Sequence, residues 1–172
     1  ISSHSSAVVT ADGGTLGGTG TIARNTTINA GGTINPGAND ATAGTLTIDR
    51  NLTLLGASTF DIVSPGAYDK LSVNASNSTS RTLALGGTLT VQATGVAFAA
   101  GQTYDLFDWG ANTAITGTFS SIQLPALSGG LSWEDFGGQP FDYATGRISV
   151  VPEPASLGLI AALGLIARRR RK

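Results

Sequence analysis

The side chains that could carry acid–base chemistry in this 172-residue sequence are almost all carboxylates, because histidine occurs once and cysteine does not occur. The single His4 lies in a serine-rich N-terminus with no carboxylate within three residues. A Ser-His-Asp arrangement would depend on it alone, so we expect no catalytic or ligand role. The absence of cysteine excludes a disulfide framework, a thiolate metal site and a cysteine nucleophile.

Four aspartates stand out among the carboxylates: Asp61, Asp69, Asp105 and Asp108. Solenoid enzymes that act on polysaccharides build sites from acids and bases on adjacent coils, and a glycosidase pair must sit about 5–10 Å apart. The sequence does not place any two of the four at that distance. We expect solvated turn carboxylates, and therefore predict no catalytic residue, no cofactor, no metal ligand and no enzymatic activity.

Two glycine-rich patterns near the N-terminus resemble ligand-binding motifs, but each lacks a feature that its motif requires. The residues from Gly18 to Ala23 fit G-x-G-x-x-A, but a dinucleotide site needs a helix next, and Thr21 and Ile22 favour a strand. Gly17-Gly18-Thr19-Gly20 begins like a calcium-binding nonapeptide, but Ile22 stands where that motif requires Asp. We expect neither a dinucleotide nor calcium here.

Short runs in which apolar and polar residues alternate dominate residues 13–97. Thr45-Leu46-Thr47-Ile48 and Thr88-Leu89-Thr90-Val91 are examples, and clusters of Gly, Asn and Ser separate such runs. A period of two with β-branched residues predicts strands, and the clusters predict turns. No window outside the C-terminus shows a helical period, so the pattern predicts an all-β body.

An internal repeat indicates how these strands are arranged. Gly13-Gly14-Thr15-Leu16 recurs as Gly31-Gly32-Thr33-Ile34 and as Gly86-Gly87-Thr88-Leu89. Short strands with one apolar face, repeated about every 20 residues, bury that face by stacking coil on coil. We therefore predict a parallel β-solenoid of the right-handed β-helix type, with an antiparallel β-sandwich as the alternative.

The body divides by composition into a repeat region, 1–97, and an aromatic-rich region, 98–150. Nine of the 11 aromatic residues lie from Phe98 onward. A solenoid end exposes its core and an unpaired edge, so we predict that residues 98–150 form a β-rich cap. Strings such as Gly101-Gln102-Thr103-Tyr104 resemble the passenger regions of autotransporter-type surface proteins, a likeness that runs over roughly residues 13–150. The autotransporter secretion route is not implied, because residues 151–172, which follow, are not organised like a membrane β-barrel.

Residues 151–172 have a different organisation, in three parts. A proline motif, Pro152-Glu153-Pro154, precedes an uncharged run over 155–167 and a basic tail over 168–172. Pro154 suits the first position of a helix, and the 13-residue run would rise about 20 Å, against a hydrocarbon core of about 30 Å. Polarity sorted from end to end predicts a marginal transmembrane helix. Its anchoring side chains would be Leu157, Leu159, Ile160, Leu163, Leu165 and Ile166.

The distribution of charge supports a membrane reading of this segment. Five of the ten basic residues form the tail Arg168-Arg169-Arg170-Arg171-Lys172, so residues 1–167 carry five basic against 11 acidic residues. Five consecutive cations predict a cytoplasmic tail and an exported body. A nucleic-acid binder would instead spread its basic residues over a folded face, so we predict no nucleic-acid partner.

The three parts, in this order, resemble the PEP-CTERM sorting signal of exported bacterial proteins. The resemblance implies that Pro152, Glu153 and Pro154 are recognised by an exosortase, a membrane-embedded processing enzyme. It also implies transient residence in the inner membrane, then the cell surface or extracellular matrix. We expect a mature form or fragment that begins after an export signal. The predicted function is a structural or adhesive surface protein; the alternative is an exported carbohydrate-binding or polysaccharide-degrading β-helix protein, with extracellular polysaccharide as partner.

Overall fold

The computed structural model describes residues 8–37, 42–76 and 79–154, and the regular structure of these residues is entirely β-strand. The all-β prediction is therefore confirmed. Eighteen strands follow one another along the chain: β1 (Val8–Ala11), β2 (Thr15–Gly18), β3 (Gly20–Ile22), β4 (Asn25–Ile28), β5 (Thr33–Pro36), β6 (Thr45–Ile48), β7 (Leu52–Leu54), β8 (Ala57–Ser64), β9 (Ala67–Tyr68), β10 (Lys70–Val73), β11 (Arg81–Leu85), β12 (Thr88–Ala93), β13 (Thr103–Asp105), β14 (Phe107–Trp109), β15 (Thr113–Gly117), β16 (Ser121–Gln123), β17 (Leu131–Trp133) and β18 (Arg147–Pro152).

Three parallel sheets form the walls of the body. The first has the order β1-β4-β7-β11-β15, the second β2-β5-β8-β12-β16 and the third β3-β6-β10-β14. The chain passes from the first sheet to the second and third on each turn, so each strand pairs with the strand one turn later. This is a β-solenoid-like fold, and its parallel pairing favours the solenoid over the antiparallel sandwich. The right hand of the winding stays a prediction.

Alternation within the strands places one set of side chains inside. In β7, Leu52 and Leu54 are buried and Thr53 between them is half-buried. The parallel register then stacks like on like, as where Ile28 of β4 pairs with Leu54. Each fully buried Leu or Ile contributes about 1.5–3 kcal/mol, and the stack joins all turns into one core.

The turns of the solenoid lengthen along the chain. Register partners in the first sheet are 17 residues apart at Val8–Asn25, 26 at Thr26–Leu52, 31 at Leu52–Leu83 and 32 at Arg81–Thr113. The predicted repeat of about 20 residues therefore holds only for the first turns, where Leu16 pairs with Ile34 at a separation of 18. Later turns carry extra residues in excursions, such as the antiparallel pair β8–β9.

The repeated glycines mark the corner between the first and second sheets. Gly32, Gly56 and Gly87 occupy this corner on successive turns. A Cβ on Gly56 would overlap the carbonyl oxygen of Gly32, and a Cβ on Gly87 would overlap that of Gly56. Backbone packs directly on backbone here, which only a residue without a side chain allows.

A separate antiparallel sheet has the strand order β13-β18-β17. Its central strand β18 buries Ile148 and Val150. Strands β14, β15 and β16 of the same region continue the three parallel walls. Residues 98–150 thus contribute both the last turn and the antiparallel sheet, and the predicted boundary at residue 97 stays a prediction.

Aromatic rings fill the core beneath this part of the chain. Phe107 lies 5.0 Å from Phe60, 5.8 Å from Phe119 and 5.7 Å from Phe141, measured between ring centroids. The Tyr143 ring lies 5.0 Å from Phe141, and its hydroxyl oxygen accepts the Phe119 backbone N–H at 3.0 Å. Bulky rings close a core end that short aliphatic side chains would leave open.

The predicted C-terminal helix over 155–167 lies outside the described residues. Within 8–37, 42–76 and 79–154, the structure has no helix long and apolar enough to cross a bilayer.

Candidate functional site

Two of the four aspartates that we singled out meet in the structure. The backbone N–H of Asp69 donates to the Asp61 carbonyl at 2.9 Å, and the Asp61 N–H donates to Oδ2 of Asp69 at 3.0 Å. Oδ1 of Asp69 accepts the N–H of Gly44 from the preceding turn at 2.9 Å. The Asp69 carboxyl therefore ties the β8–β9 excursion to the turn beneath it.

Burial raises the pKa of Asp69 to about 6, because removal from water penalises the charged form. The backbone N–H groups of Asp61 and Gly44 lower this pKa, whereas the charge of the Asp61 carboxyl and a side-chain hydrogen bond with it raise it.

A perturbed carboxyl marks a catalytic site when it lines a cleft. Asp69 is 0% exposed and Asp61 is 4% exposed, so no substrate reaches either. The pair is a brace inside the wall, and the expectation that these two are solvated turn carboxylates is wrong. Asp105 on β13 and Asp108 on β14 are exposed, as expected.

The remaining candidate sites from the sequence are the glycine-rich stretch, His4 and a metal site. Gly18 ends β2, and Gly20 to Ile22 form β3, so the G-x-G-x-x-A stretch is strand and has no helix after it. His4 lies outside the described residues. Among the residues that the structure describes, no group of three or more His, Cys, Asp or Glu is placed to hold a metal ion.

A groove of about 610 Å³ lies beside the end of β12. It runs between the chain that leaves β12 and the chain that leaves β16. Its lining has amide, hydroxyl and apolar side chains and no charged one: Thr90, Val91, Gln92, Ala93, Thr94, Gly95, Val96, Ala97, Phe98, Gln123, Leu124, Pro125, Ala126 and Ser128. The ring of Phe98 at one end packs edge-on against Trp133, 5.5 Å away.

The proline motif begins inside the antiparallel sheet. Pro152 is the last residue of β18 and lies opposite Leu131 of β17. The N–H of Glu153 continues the ladder and donates to the Gly130 carbonyl at 2.8 Å. Pro152, Glu153 and Pro154 are exposed, whereas Val150, two residues earlier, is buried. The motif thus follows the folded body without a linker.

Residues 150–172 match the PEP-CTERM protein-sorting motif. The chain carries a PEP-CTERM sorting signal. This motif indicates an exported protein that is sorted through an exosortase and has a C-terminal membrane-anchor region. No curated protein and no solved structure is significantly similar to the chain.

The match covers every residue that we assigned to the signal. Of these, the structure describes Pro152, Glu153 and Pro154; the six anchoring side chains and the basic tail lie outside the described residues. The roles of the individual residues stay predictions, as does the likeness of residues 13–150 to autotransporter passengers.

Sequence reasoning missed the pairing of the motif with β17. A signal was present: the two glycine pairs Gly129-Gly130 and Gly137-Gly138 enclose a segment that begins with the alternating residues Leu131-Ser132-Trp133, which indicates a short strand between two turns. What the run pairs with is a long-range contact that local patterns do not encode.

Proposed function

We propose that the chain is an exported bacterial surface or extracellular-matrix protein whose β-solenoid body is structural or adhesive and has no catalytic activity. An exosortase processes it while residues 155–167 hold it briefly in the inner membrane with the basic tail in the cytoplasm. The observation that carries this proposal is the sorting signal at 150–172, joined directly to an exposed end of a folded strand.

The described carboxylates support a body without catalysis. The two that come together, Asp61 and Asp69, are sealed from solvent, and the Asp69 carboxyl accepts the backbone N–H groups of Gly44 and Asp61. A structural role explains their burial, because a carboxylate that receives two N–H donors holds two chain segments together.

Mass spectrometry of the C-terminus, on protein recovered from the surface of the producing cells, tests the processing step. The wild type should lack the basic tail 168–172, and Glu153→Gln should retain it and stay in the membrane fraction. Asp105→Asn, which neutralises an exposed carboxylate on strand β13 of the same antiparallel sheet, is the matched control and should be processed normally. An intact tail on surface-exposed wild-type protein would refute the proposal.

A second candidate function is the binding of a neutral extracellular polysaccharide, which the groove beside β12 favours. Its lining offers the amides of Gln92 and Gln123 and the hydroxyl of Ser128 for hydrogen bonds, and no charge. An uncharged polyol suits such a lining, whereas a phosphate or uronate would find no cation there. A volume of about 610 Å³ lies in the range of small-ligand sites, roughly 300–1,000 Å³.

Affinity electrophoresis in gels that contain dextran, laminarin or alginate tests this candidate. We expect retardation by at least one of the two neutral glucans, no retardation by alginate, and loss of the effect in Gln92→Ala/Gln123→Ala. Gln139→Ala, an exposed glutamine outside the groove, is the control. Migration unaffected by both glucans, or an effect that survives the double substitution, would exclude the groove as a site for such chains.

A further inference from the structure

The strand that carries the sorting motif has two hydrogen-bonding edges, and they differ at the motif. Along one edge, the backbone of Val150 exchanges hydrogen bonds with the chain before β13. Its N–H donates to the Gln102 carbonyl, and its carbonyl accepts the N–H of Gly101, both at 2.8 Å. The next residue to face this edge is Pro152, which has no N–H. A strand added here would find no donor at the motif, so this edge does not support strand addition.

The other edge has the donors, and β17 occupies it. The N–H of Glu153 donates to the Gly130 carbonyl at 2.8 Å, and the carbonyl of Ser149 accepts the N–H of Glu134 at 2.8 Å. Val151 lies between them, opposite Ser132. An enzyme that takes up an extended segment recognises it by main-chain hydrogen bonds along one edge. The only edge of the motif that offers N–H groups for this purpose is the edge that β17 covers.

The segment that covers this edge lies between two glycine pairs. Gly129 and Gly130 have φ angles of 72° and 75°, and Gly137 and Gly138 have 84° and 95°. Only glycine adopts these angles without strain, so both ends of residues 131–136 are able to change direction at low cost. We call residues 131–136 the flap.

Few interactions hold the flap in place. Its strand has three residues, and all three are only half-buried. The main anchor is Trp133, whose Nε1–H donates to the Pro125 carbonyl at 2.9 Å and whose ring packs on Phe98. Short, half-exposed strands belong to the parts of a protein that open first.

We propose that the flap covers the docking edge for the processing enzyme, which must displace β17 from β18 before it takes up Pro152-Glu153-Pro154. The partner is an enzyme that binds an extended segment by strand addition at Val151 and Glu153. The inference rests on the proposed function, because it assumes that the sorting signal is processed. It adds that processing requires the flap to leave.

A disulfide between β17 and β18 tests the proposal, since the chain has no cysteine of its own. Ser132 and Val151 are register partners, and residues in a hydrogen-bonded antiparallel pair have Cα atoms about 5.5 Å apart, which a disulfide spans. In Ser132→Cys/Val151→Cys the flap stays closed when the bond forms. We expect removal of the basic tail to be slower by about tenfold or more in the oxidised form, because the binding-competent state is depleted, and to recover on reduction.

The matched control is Thr103→Cys/Ser149→Cys, which joins β13 to β18 at another register pair. It changes no flap side chain, and the Ser149 carbonyl that accepts the Glu134 N–H is a main-chain group that the substitution retains. It should be processed like the wild type in both redox states. Loosening the flap by Trp133→Ala should accelerate processing about tenfold, as expected from the loss of one hydrogen bond and one aromatic contact.

Two results separate this inference from the proposed function. If the wild type keeps its tail in the same cells, the proposed function fails. If the wild type is processed, the flap proposal is tested by the rate at which Ser132→Cys/Val151→Cys loses its basic tail. Equal rates in the oxidised and reduced forms, whether fast or slow, overturn the flap proposal and leave the proposed function standing. An unchanged rate in Trp133→Ala also counts against it.

Discussion

Replacing Asp69 by Asn should remove a pH dependence of stability that runs opposite to that of most carboxylates. Asp69 is 0% exposed, and its pKa is raised from 3.8 to about 6, chiefly by burial. The folded protein therefore binds this proton more tightly than the unfolded chain does. The resulting stabilisation is complete below pH 4 and is lost as the pH rises through 6.

The magnitude follows from the size of the shift. Two pKa units correspond to about 3 kcal/mol, a large part of a total stability of about 5–15 kcal/mol. The difference in unfolding free energy between wild type and Asp69→Asn should thus shift by about 2–3 kcal/mol in favour of the wild type between pH 7 and pH 4. The absolute difference at one pH also contains the hydrogen bond from the Asp61 N–H, which an amide NH₂ at that position does not accept.

Urea unfolding followed by tryptophan fluorescence, at several pH values from 4 to 8, measures this difference. The two tryptophans, Trp109 on β14 and Trp133 on β17, report the unfolding of the body. Asp108→Asn, at an exposed carboxylate, is the control for the change in net charge. A wild-type-minus-variant difference that stays flat from pH 4 to 8, or that moves against the wild type as the pH falls, would refute the reasoning.

Three further predictions concern the wall, the core and a turn. Gly56→Ala should destabilise the body by about 1–3 kcal/mol, because its Cβ overlaps the Gly32 carbonyl; Gly66→Ala, where a Cβ meets nothing, is the control in the same thermal melt. Phe141→Ala should cost about 3–5 kcal/mol in urea unfolding, since its ring is fully buried, and an effect below 1 kcal/mol would contradict that packing. Asp142→Asn should destabilise the fold at neutral pH and much less near pH 2. Burial of Asp142 opposes its ionisation, but hydrogen bonds from Thr145 and Ala144 outweigh burial and lower the pKa of Asp142. Equal destabilisation at both pH values in urea unfolding would contradict this stabilising role of the ionised carboxyl.

The strands and their parallel stacking could be predicted because both depend on short-range patterns. Alternation in Leu52-Thr53-Leu54 is a local property, and the structure buries both leucines. The repeated Gly-Gly-Thr segments predicted stacked turns, and in the structure two of them lie in register, with Leu16 of β2 paired with Ile34 of β5. Each copy of this repeat places glycine at the corner between two sheets, and the apolar residue two positions after the second glycine lies on the inner face of the strand.

The Asp61–Asp69 pair could not be predicted, because a second segment creates its environment. In β8, Phe60 and Ile62 point to the core, so Asp61 between them belongs to the outer face by the alternation rule. It is buried because β9 folds back on β8, with an irregularity between Ile62 and Ser64. The period of a strand tells which face a residue is on, but not whether another segment covers that face.

The antiparallel sheet connects the fold to the sorting signal through one strand. The first half of β18 places Ile148 and Val150 in the core, and its last residue, Pro152, already belongs to the exposed motif. Burial of the first half fixes the direction and the register of the second, so the motif takes up a defined place on the sheet only when the solenoid has a core for β18 to complete. An unfolded chain would carry the same three residues without β17 against them. We therefore expect a body that fails to fold to present its motif uncovered, and a folded body to present it under the control of residues 131–136.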